Sequence, residues 1–345
     1  MSIAAPEKTA LKLGFVPLLD CAPLVIAREK GFFQNEGLNV VLSRESSWAN
    51  IRDKVSFGLL DGAQMLSPMP LASTLGLGSQ STPMITSLAL SMNGNAVTLS
   101  AELYRALSPQ LRDRPNAAEV GNALKQWIAS VRTKPVFATV FPYSCQHYQL
   151  RYWLTASGID PDQDVTLIAV PPTKMVSTMR DHLIDGYCAG EPWNTLAESG
   201  AVGKVAVTGY QIWSDSIEKV FAVTQRWADS HPNTHTALIR ALVAACEWLS
   251  HSCNHAEALD LLRLPPYLDQ SVIPLCQTSE THPIMQSFYG SDVNLPSLSH
   301  AHLMLEQMER WGQWKGGDRT QIAQQVYRPD LYAEALAQAP SQQLA

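Results

Sequence analysis

Two α/β lobes are what this sequence predicts, and three observations predict them. Its 345 residues exceed the roughly 150 of an average domain. Short apolar runs alternate with helix-like stretches, an order that lays strands parallel in a sheet with helices on its faces. The alternation also runs twice, in two series of similar size, with the second inserted into the first.

The first series opens with the apolar run at residues 11–17, after which Asp20-Cys-Ala-Pro starts a helix over 24–30 that Gly31 stops. Residues 40–42 make a second strand, 51–58 a second helix and 61–66 a third strand. After a strand at 96–100 the pattern pauses in a polar helical stretch, 101–114, that carries both charge signs. The second series follows as strand 136–140, helix 148–157, strand 165–170, helix 174–181 and strand 186–189. A strand at 205–208 leads into a helix-rich tail with helices over 232–250 and 303–311. The expected lobes are 1–98 with 206–345 and 99–205, joined by a double crossover, with a ligand cleft between them.

Composition removes several classes of function. Hydrophobic residues make up 46% and charged residues 16%, which excludes a disordered chain. The 25 basic and 31 acidic residues are scattered, so no basic surface for nucleic acid is expected. No stretch of about 18 apolar residues occurs, so no membrane span is expected. The N-terminal sequence has no charged region leading into an apolar core, and a soluble, cytoplasmic protein is expected. The six cysteines lie far apart without a CxxC pair and are expected to be buried free thiols.

Enzyme motifs are also missing. His231 and His235 have helical i, i+4 spacing, but Pro232 follows the first and no HExxH surrounds them, so they read as exposed residues of a helix start. There is no GxSxG elbow, Cys145 and His147 are too close in sequence for a nucleophile and its base, and no GxxxxGK[ST] loop is present. No catalysis, metal or cofactor is expected.

In open α/β sheets ligands bind beyond the carboxyl ends of strands, where helix N-termini favour anions. Polar and aromatic clusters fall at such ends: Ser46-Ser-Trp48, Ser67-Pro-Met-Pro70, Asn93-Gly-Asn95, Ser144-Cys-Gln-His147 and Glu191-Pro-Trp-Asn194. Around them the stretches LGFVPLLDCAPLVIAREKGFF, SSWANIRDKVSFGLLDGAQMLSPMP, NGNAV, FPYSCQHYQLRYWL, VPPTKMVSTMRDHLIDGYCAGEPWN and EKVFAVTQRWADSHPNTHTALIRAL, between about residues 11 and 242, resemble the NrtA/CmpA family of nitrate- and bicarbonate-binding proteins. The resemblance implies the two-lobed type II fold of periplasmic solute-binding proteins. Lacking a secretion or anchor segment and a nucleotide-binding loop, the chain resembles the cytoplasmic nitrate-sensing (NasS-like) branch. Members of that branch bind nitrate or nitrite and hold an RNA-binding antiterminator (NasT-like) inactive until the anion arrives. The alternative is the solute-binding subunit of a nitrate ABC importer. A third possibility on this fold, synthesis of a thiamine pyrimidine precursor, lacks its signature sites here.

Nitrate is a flat monovalent anion with weakly accepting oxygens, so a selective site needs one positive charge, neutral donors in the ligand plane and a flat wall. The resemblance makes Lys219 the anion-pairing cation. In the bicarbonate-binding branch an acidic residue stands there, so lysine favours nitrate or nitrite. Trp48, after Ser47 on the rim, offers an indole face or N–H, although by residue type alone it fits core packing. Asn95 stands where transporter members have glutamine, one methylene shorter, beside Gly94, whose missing Cβ lets backbone approach. Aligned on Arg-Tyr-Trp, Gln146 falls opposite the transporters' histidine, with His147 next to it, and which of the two is the closer contact stays open. Glu191 and Trp193 belong to the rim, and a carboxylate beside an anion is costly, so Glu191 reads as a structural partner.

Overall fold

The computed structural model describes residues 4–268 and 286–338, which divide into two compact units. Residues 4–92, 217–268 and 287–338 form the first, and 93–216 with Gln286 form the second. The described strands are β1 (Ala10–Phe15), β2 (Asn39–Arg44), β3 (Gly62–Leu66), β4 (Met84–Asn93), β5 (Asn95–Ser100), β6 (Val136–Thr139), β7 (Thr166–Ala169), β8 (Gly186–Gly190), β9 (Gly203–Thr208), β10 (Ile217–Thr224) and β11 (Gln286–Ser287).

The first unit is built on a sheet of order β11-β4-β10-β3-β1-β2. β1 pairs in parallel with β2 and β3, as a strand–helix–strand order requires, whereas β10 runs antiparallel to both β3 and β4. The helix Ala22–Glu29 carries Pro23 in its first turn and ends before Gly31, whose φ of 80° is left-handed. It packs against the long helix Pro232–Ser250, whose inner face buries Leu238, Leu242 and Leu249.

The second unit has the order β7-β6-β8-β5-β9, with β6 parallel to β7 and β8, and β5 antiparallel to β8 and β9. Val97, Leu99, Phe137 and Val207 of the sheet pack with Leu124 and Trp153 of the covering helices into one core. The chain crosses from the first sheet to the second between β4 and β5 and returns before β10. At the crossing the Asn93 N–H donates to Ser216 O at 2.9 Å, and the Ser216 N–H donates to Asn93 Oδ1 at 3.3 Å. Buried backbone needs such partners, and these two bonds tie the outgoing strand to the returning one.

Several expectations need correction. The units divide at 92/93 and 216/217, not at 98/99 and 205/206, because all of β5 and β9 pair within the second sheet. Asn95 therefore belongs to the second unit. β4 is buried along its whole length, so it shows no polar alternation and reads as neither strand nor loop. β10 is hidden by its Glu-Lys pair, and the helix Ala117–Ser130, started by a capping box of Asn116 and Glu119, was also not expected. The helix expected over 101–114 spans only Ala101–Leu107 before a 3-10 turn to Gln110. His235 is buried, packed edge-on against Trp227, instead of exposed. Cys253 is exposed, whereas Cys21, Cys145, Cys188 and Cys246 are buried and free; Cys276 lies outside the described residues. Among the described residues no helix is long and apolar enough to cross a membrane, and no group of three His, Cys, Asp or Glu side chains is placed to hold a metal.

Gly94 makes the first crossing with φ 93°, and a Cβ there would meet Gln286 Cδ at 2.8 Å. Gly94→Ala is expected to cost about 1–2 kcal/mol through the left-handed backbone, read as a lower urea midpoint. An unchanged midpoint would contradict this account of the crossing.

Candidate functional site

Lys219 lies on β10, opposite Leu66 of β3 and Ser91 of β4. The pairing with β4 shifts register on both sides of it. Such an irregularity re-aims side chains, and here the adjacent Glu218 and Lys219, which a regular strand would send to opposite faces, meet in one buried spot. The Lys219 ammonium has no solvent exposure, and it donates to Glu218 Oε1 at 2.5 Å and Asp20 Oδ2 at 2.8 Å.

Asp20 comes from the 3-10 turn Leu19–Cys21 after β1. Gln64 of β3 clamps it: Nε2 donates to Asp20 Oδ1 while Oε1 accepts from the Val16 N–H at 3.1 Å. Burial lifts the Asp20 carboxyl above the usual carboxylate range, against the opposing pull of Lys219. Burial also opposes the charge on Lys219, but Asp20 and Glu218 together outweigh it and hold the ammonium above the usual lysine range. Lys219 therefore stays charged, with two carboxyl groups around one ammonium.

Trp48 flanks this cluster, its ring centroid 5.3 Å from Lys219 Nζ, within cation–π distance. Ser47 Oγ accepts from the Asn50 N–H at 3.2 Å and so caps the helix Trp48–Ser56, which places the indole at the helix start. The Trp48 Nε1–H is buried with no acceptor among the described residues. A buried orphan donor costs free energy unless something else accepts from it. An ammonium has three N–H donors, and two of those on Lys219 go to the carboxyl groups. The third N–H and the Trp48 N–H are the donors this cluster offers an anion.

The second unit holds a neutral set. Gln146, in the first turn of the helix Cys145–Ala156, donates from Nε2 to Asn95 Oδ1 at 2.9 Å, and Asn95 Nδ2 donates to Gln149 Oε1 at 3.1 Å. This relay fixes which way each amide points, at the N-terminus of a helix of twelve residues capped by Ser144, whose Oγ accepts from the His147 N–H at 3.0 Å. Burial, followed by the Arg151 charge, pushes the His147 imidazole down to about 4, so it is neutral near pH 7. Its Nδ1 is 3.4 Å from Thr139 Oγ1. Neither Gln146 nor His147 brings charge at neutral pH.

Glu191 follows Gly190, the register partner of Asn95, and so lies at the same end of the second sheet as the amides. Burial pushes its carboxyl up to about 7, partly offset by hydrogen bonds from Thr195. Oε2 accepts from the Thr195 N–H at 3.2 Å, while Oε1 and the nearby Trp193 Nε1 have no partner among the described residues. Gly94 serves the crossing.

The expected site residues thus fall into two sets: Ser47, Trp48 and Lys219 in the first unit, and Gly94, Asn95, Gln146, His147, Glu191 and Trp193 in the second. Sequence reasoning missed Asp20, Glu218, Gln64 and Gln149. Asp20 was visible only as a helix-start residue, and the carboxylate directly before Lys219 was the signal that the lysine had a built-in partner.

Lys219→Met would take the ammonium away from two buried carboxyl groups. Breaking such a cluster costs about 3 kcal/mol. In the variant Asp20, already raised by burial, would lose the opposing pull of the ammonium and titrate higher folded than unfolded, and a carboxyl of that kind loses stability as pH rises past its unfolded value. Urea unfolding at pH 8 should therefore show the full loss and at pH 5 a smaller one; equal losses at both would contradict the arrangement.

Residues 4–263 match the NMT1-like family. The nitrate import ATP-binding protein NrtC of Synechocystis sp. is 41% identical over 350 residues, taking in 95% of this chain and 50% of that protein. The nitrate/nitrite binding protein NrtA from Synechocystis sp. is 33% identical over 352 residues, 96% of this chain and 77% of that protein. The crystal structure of the periplasmic nitrate-binding protein NrtA from Synechocystis PCC 6803 superposes with a TM-score of 0.89 at 31% identity, over 99% of this chain and 92% of that one. The chain spans about half the length of NrtC and of the bicarbonate transport ATP-binding proteins CmpC that it also matches. Its α/β fold is the periplasmic-binding-protein fold, and the chain belongs to the NMT1-like family, in the NrtA/CmpA group of that family.

Proposed function

We propose that this chain binds nitrate or nitrite, with Lys219 and the Trp48 N–H as the charged and adjoining contacts and Asn95 and Gln146 as neutral donors. The observation that carries this reading is the buried Lys219 ammonium with a donor left over, beside an indole N–H that lacks an acceptor among the described residues. Likeness to proteins named for nitrate and nitrite binding over nearly the whole chain supports the choice of anion.

The finer reading is a cytoplasmic sensor that does no chemistry and releases an RNA-binding antiterminator of the NasT kind when the anion binds. It rests on the resemblance to the sensing branch. Linkage then requires the partner to weaken anion binding by the factor by which the anion weakens partner binding. A second reading, a solute-binding module of a nitrate importer, is favoured by the import function in the names of NrtC relatives. Pull-down of the antiterminator without nitrate and its release at millimolar nitrate would support the sensor. Capture that ignores nitrate, or no capture at all, would favour the importer.

Calorimetric titration with nitrate, nitrite, bicarbonate and chloride tests the anion directly, with heat expected for the first two. Trp48→Phe keeps a ring and removes the donor, and Gln146→Ala removes an amide. Each should weaken nitrate binding by about 1 kcal/mol, roughly fivefold. Wild-type affinity in both variants would move the site elsewhere.

A further inference from the structure

One cavity of the first unit has no part in the site described above. It holds about 340 Å³ and is lined from the short helix Gln225–Ser230, the start of the helix Pro232–Ser250 and the last described helix, Pro329–Ala337. Ile85, Ala228 and His235 are its buried lining, and Arg328, Asp229 and Glu334 its more exposed lining. Pockets of a few hundred Å³ are of the size that holds small molecules.

His235 is only 4% exposed, yet no hydrogen bond among the described residues reaches its ring, which packs edge-on against Trp227. A buried polar side chain ordinarily has a partner, and this one lines a cavity instead. Burial, followed by the Arg328 charge, pushes the imidazole down to about 4, so near pH 7 one ring nitrogen is an acceptor.

The charges around the cavity decide the sign of what fits. Arg328 is already matched, because its Nε and Nη2 donate to Asp330 at 2.9 and 2.5 Å. Asp229 Oδ1 accepts from Gln225 Nε2 at 2.6 Å, and Glu334 Oε1 accepts from Gln338 Nε2 at 3.3 Å. The second oxygen of each of these two carboxylates accepts no hydrogen bond among the described residues. One positive group thus stands against three negative ones. The helix start does not offset this, since the Asn233 and Thr234 N–H groups donate to the Glu7 carboxylate at 3.0 and 2.9 Å. An anion would meet unmatched carboxylates here, whereas a cation bearing N–H groups meets acceptors.

We propose that this cavity binds a small aliphatic diamine, with Asp229, Glu334 and the His235 ring nitrogen accepting from its ammonium groups and Ile85, Ala228 and Leu331 covering its methylenes. Two charges on the ligand match the excess of carboxylates, and the apolar wall suits a carbon chain. Asp229 and Glu334 are exposed, so each contact is modest and screened by salt.

Calorimetric titration of the whole chain with 1,4-diaminobutane, in phosphate at low salt, is expected to show one saturable site whose affinity falls as salt is added. In the double variant Asp229→Asn with Glu334→Gln the affinity should fall about tenfold. Both positions are exposed, so this variant is expected to keep the wild-type urea midpoint. The His235 ring resonances should shift along the same saturation curve, while those of His300, which does not line the cavity, stay in place. No saturable binding at millimolar diamine, wild-type affinity in the double variant, or His235 resonances that do not move would each overturn the proposal. So would a preference for glutarate, which would make the cavity an anion site. Tighter binding of Nα-acetyl-lysine methylamide than of the diamine would also overturn it and assign the cavity to a lysine side chain of a protein partner.

Discussion

A lysine with no solvent exposure, held by two carboxyl groups, is the interaction on which the rest of this structure depends. Burying an ammonium is costly unless it is paired and hydrogen-bonded. Lys219 is paired because three separate pieces of chain converge: the turn after β1 brings Asp20, the register shift in β10 brings Glu218, and Gln64 of β3 fixes the Asp20 carboxyl. The antiparallel insertion of β10 between β3 and β4 makes this convergence possible. Without it β10 would not be flanked by the strands that carry Gln64 and Ser91. The sheet is therefore mixed where the strand–helix order alone implied a parallel one.

Other polar groups nearby brace the same corner. Ser67 donates its hydroxyl to Ile217 O at 2.9 Å and its N–H to Glu218 O at 3.1 Å, while the Tyr327 hydroxyl donates to Ser67 O at 2.8 Å. These bonds hold the backbone of the Glu218–Lys219 irregularity from both sides. In the second unit the amides of Gln146, Asn95 and Gln149 do comparable work with no charge.

Much of the fold was legible in the sequence because amphipathic helices and short apolar strands carry their own period. The helix Pro232–Ser250 and strands β1, β3, β6 and β8 were expected within a few residues of where they lie. What escaped was buried on both faces or broken by charge. Every residue of β4 is buried, so its sequence shows no alternation. β10 opens with Ile-Glu-Lys, which resembles a surface turn until its partners are known. The choice of Lys219 as a candidate came through resemblance, but its neighbours did not. A sequence motif marks where a charge is and says nothing of which distant carboxyl groups surround it. Asp20, about two hundred positions away in the chain, was legible only as the start of a helix.

The central claim is that Asp20 is buried deeply enough beside Lys219 to titrate above the usual carboxylate range despite the ammonium it contacts. Carboxyl 13C resonances followed by NMR across pH in the ligand-free protein test it most directly, with Asp20 assigned by comparison with Asp20→Asn. The account predicts an Asp20 resonance that titrates clearly above the usual aspartate value of about 4 while the Lys219 ammonium stays charged throughout. An Asp20 that titrates at or below that value would mean that the pull of Lys219 outweighs burial, and would contradict the account.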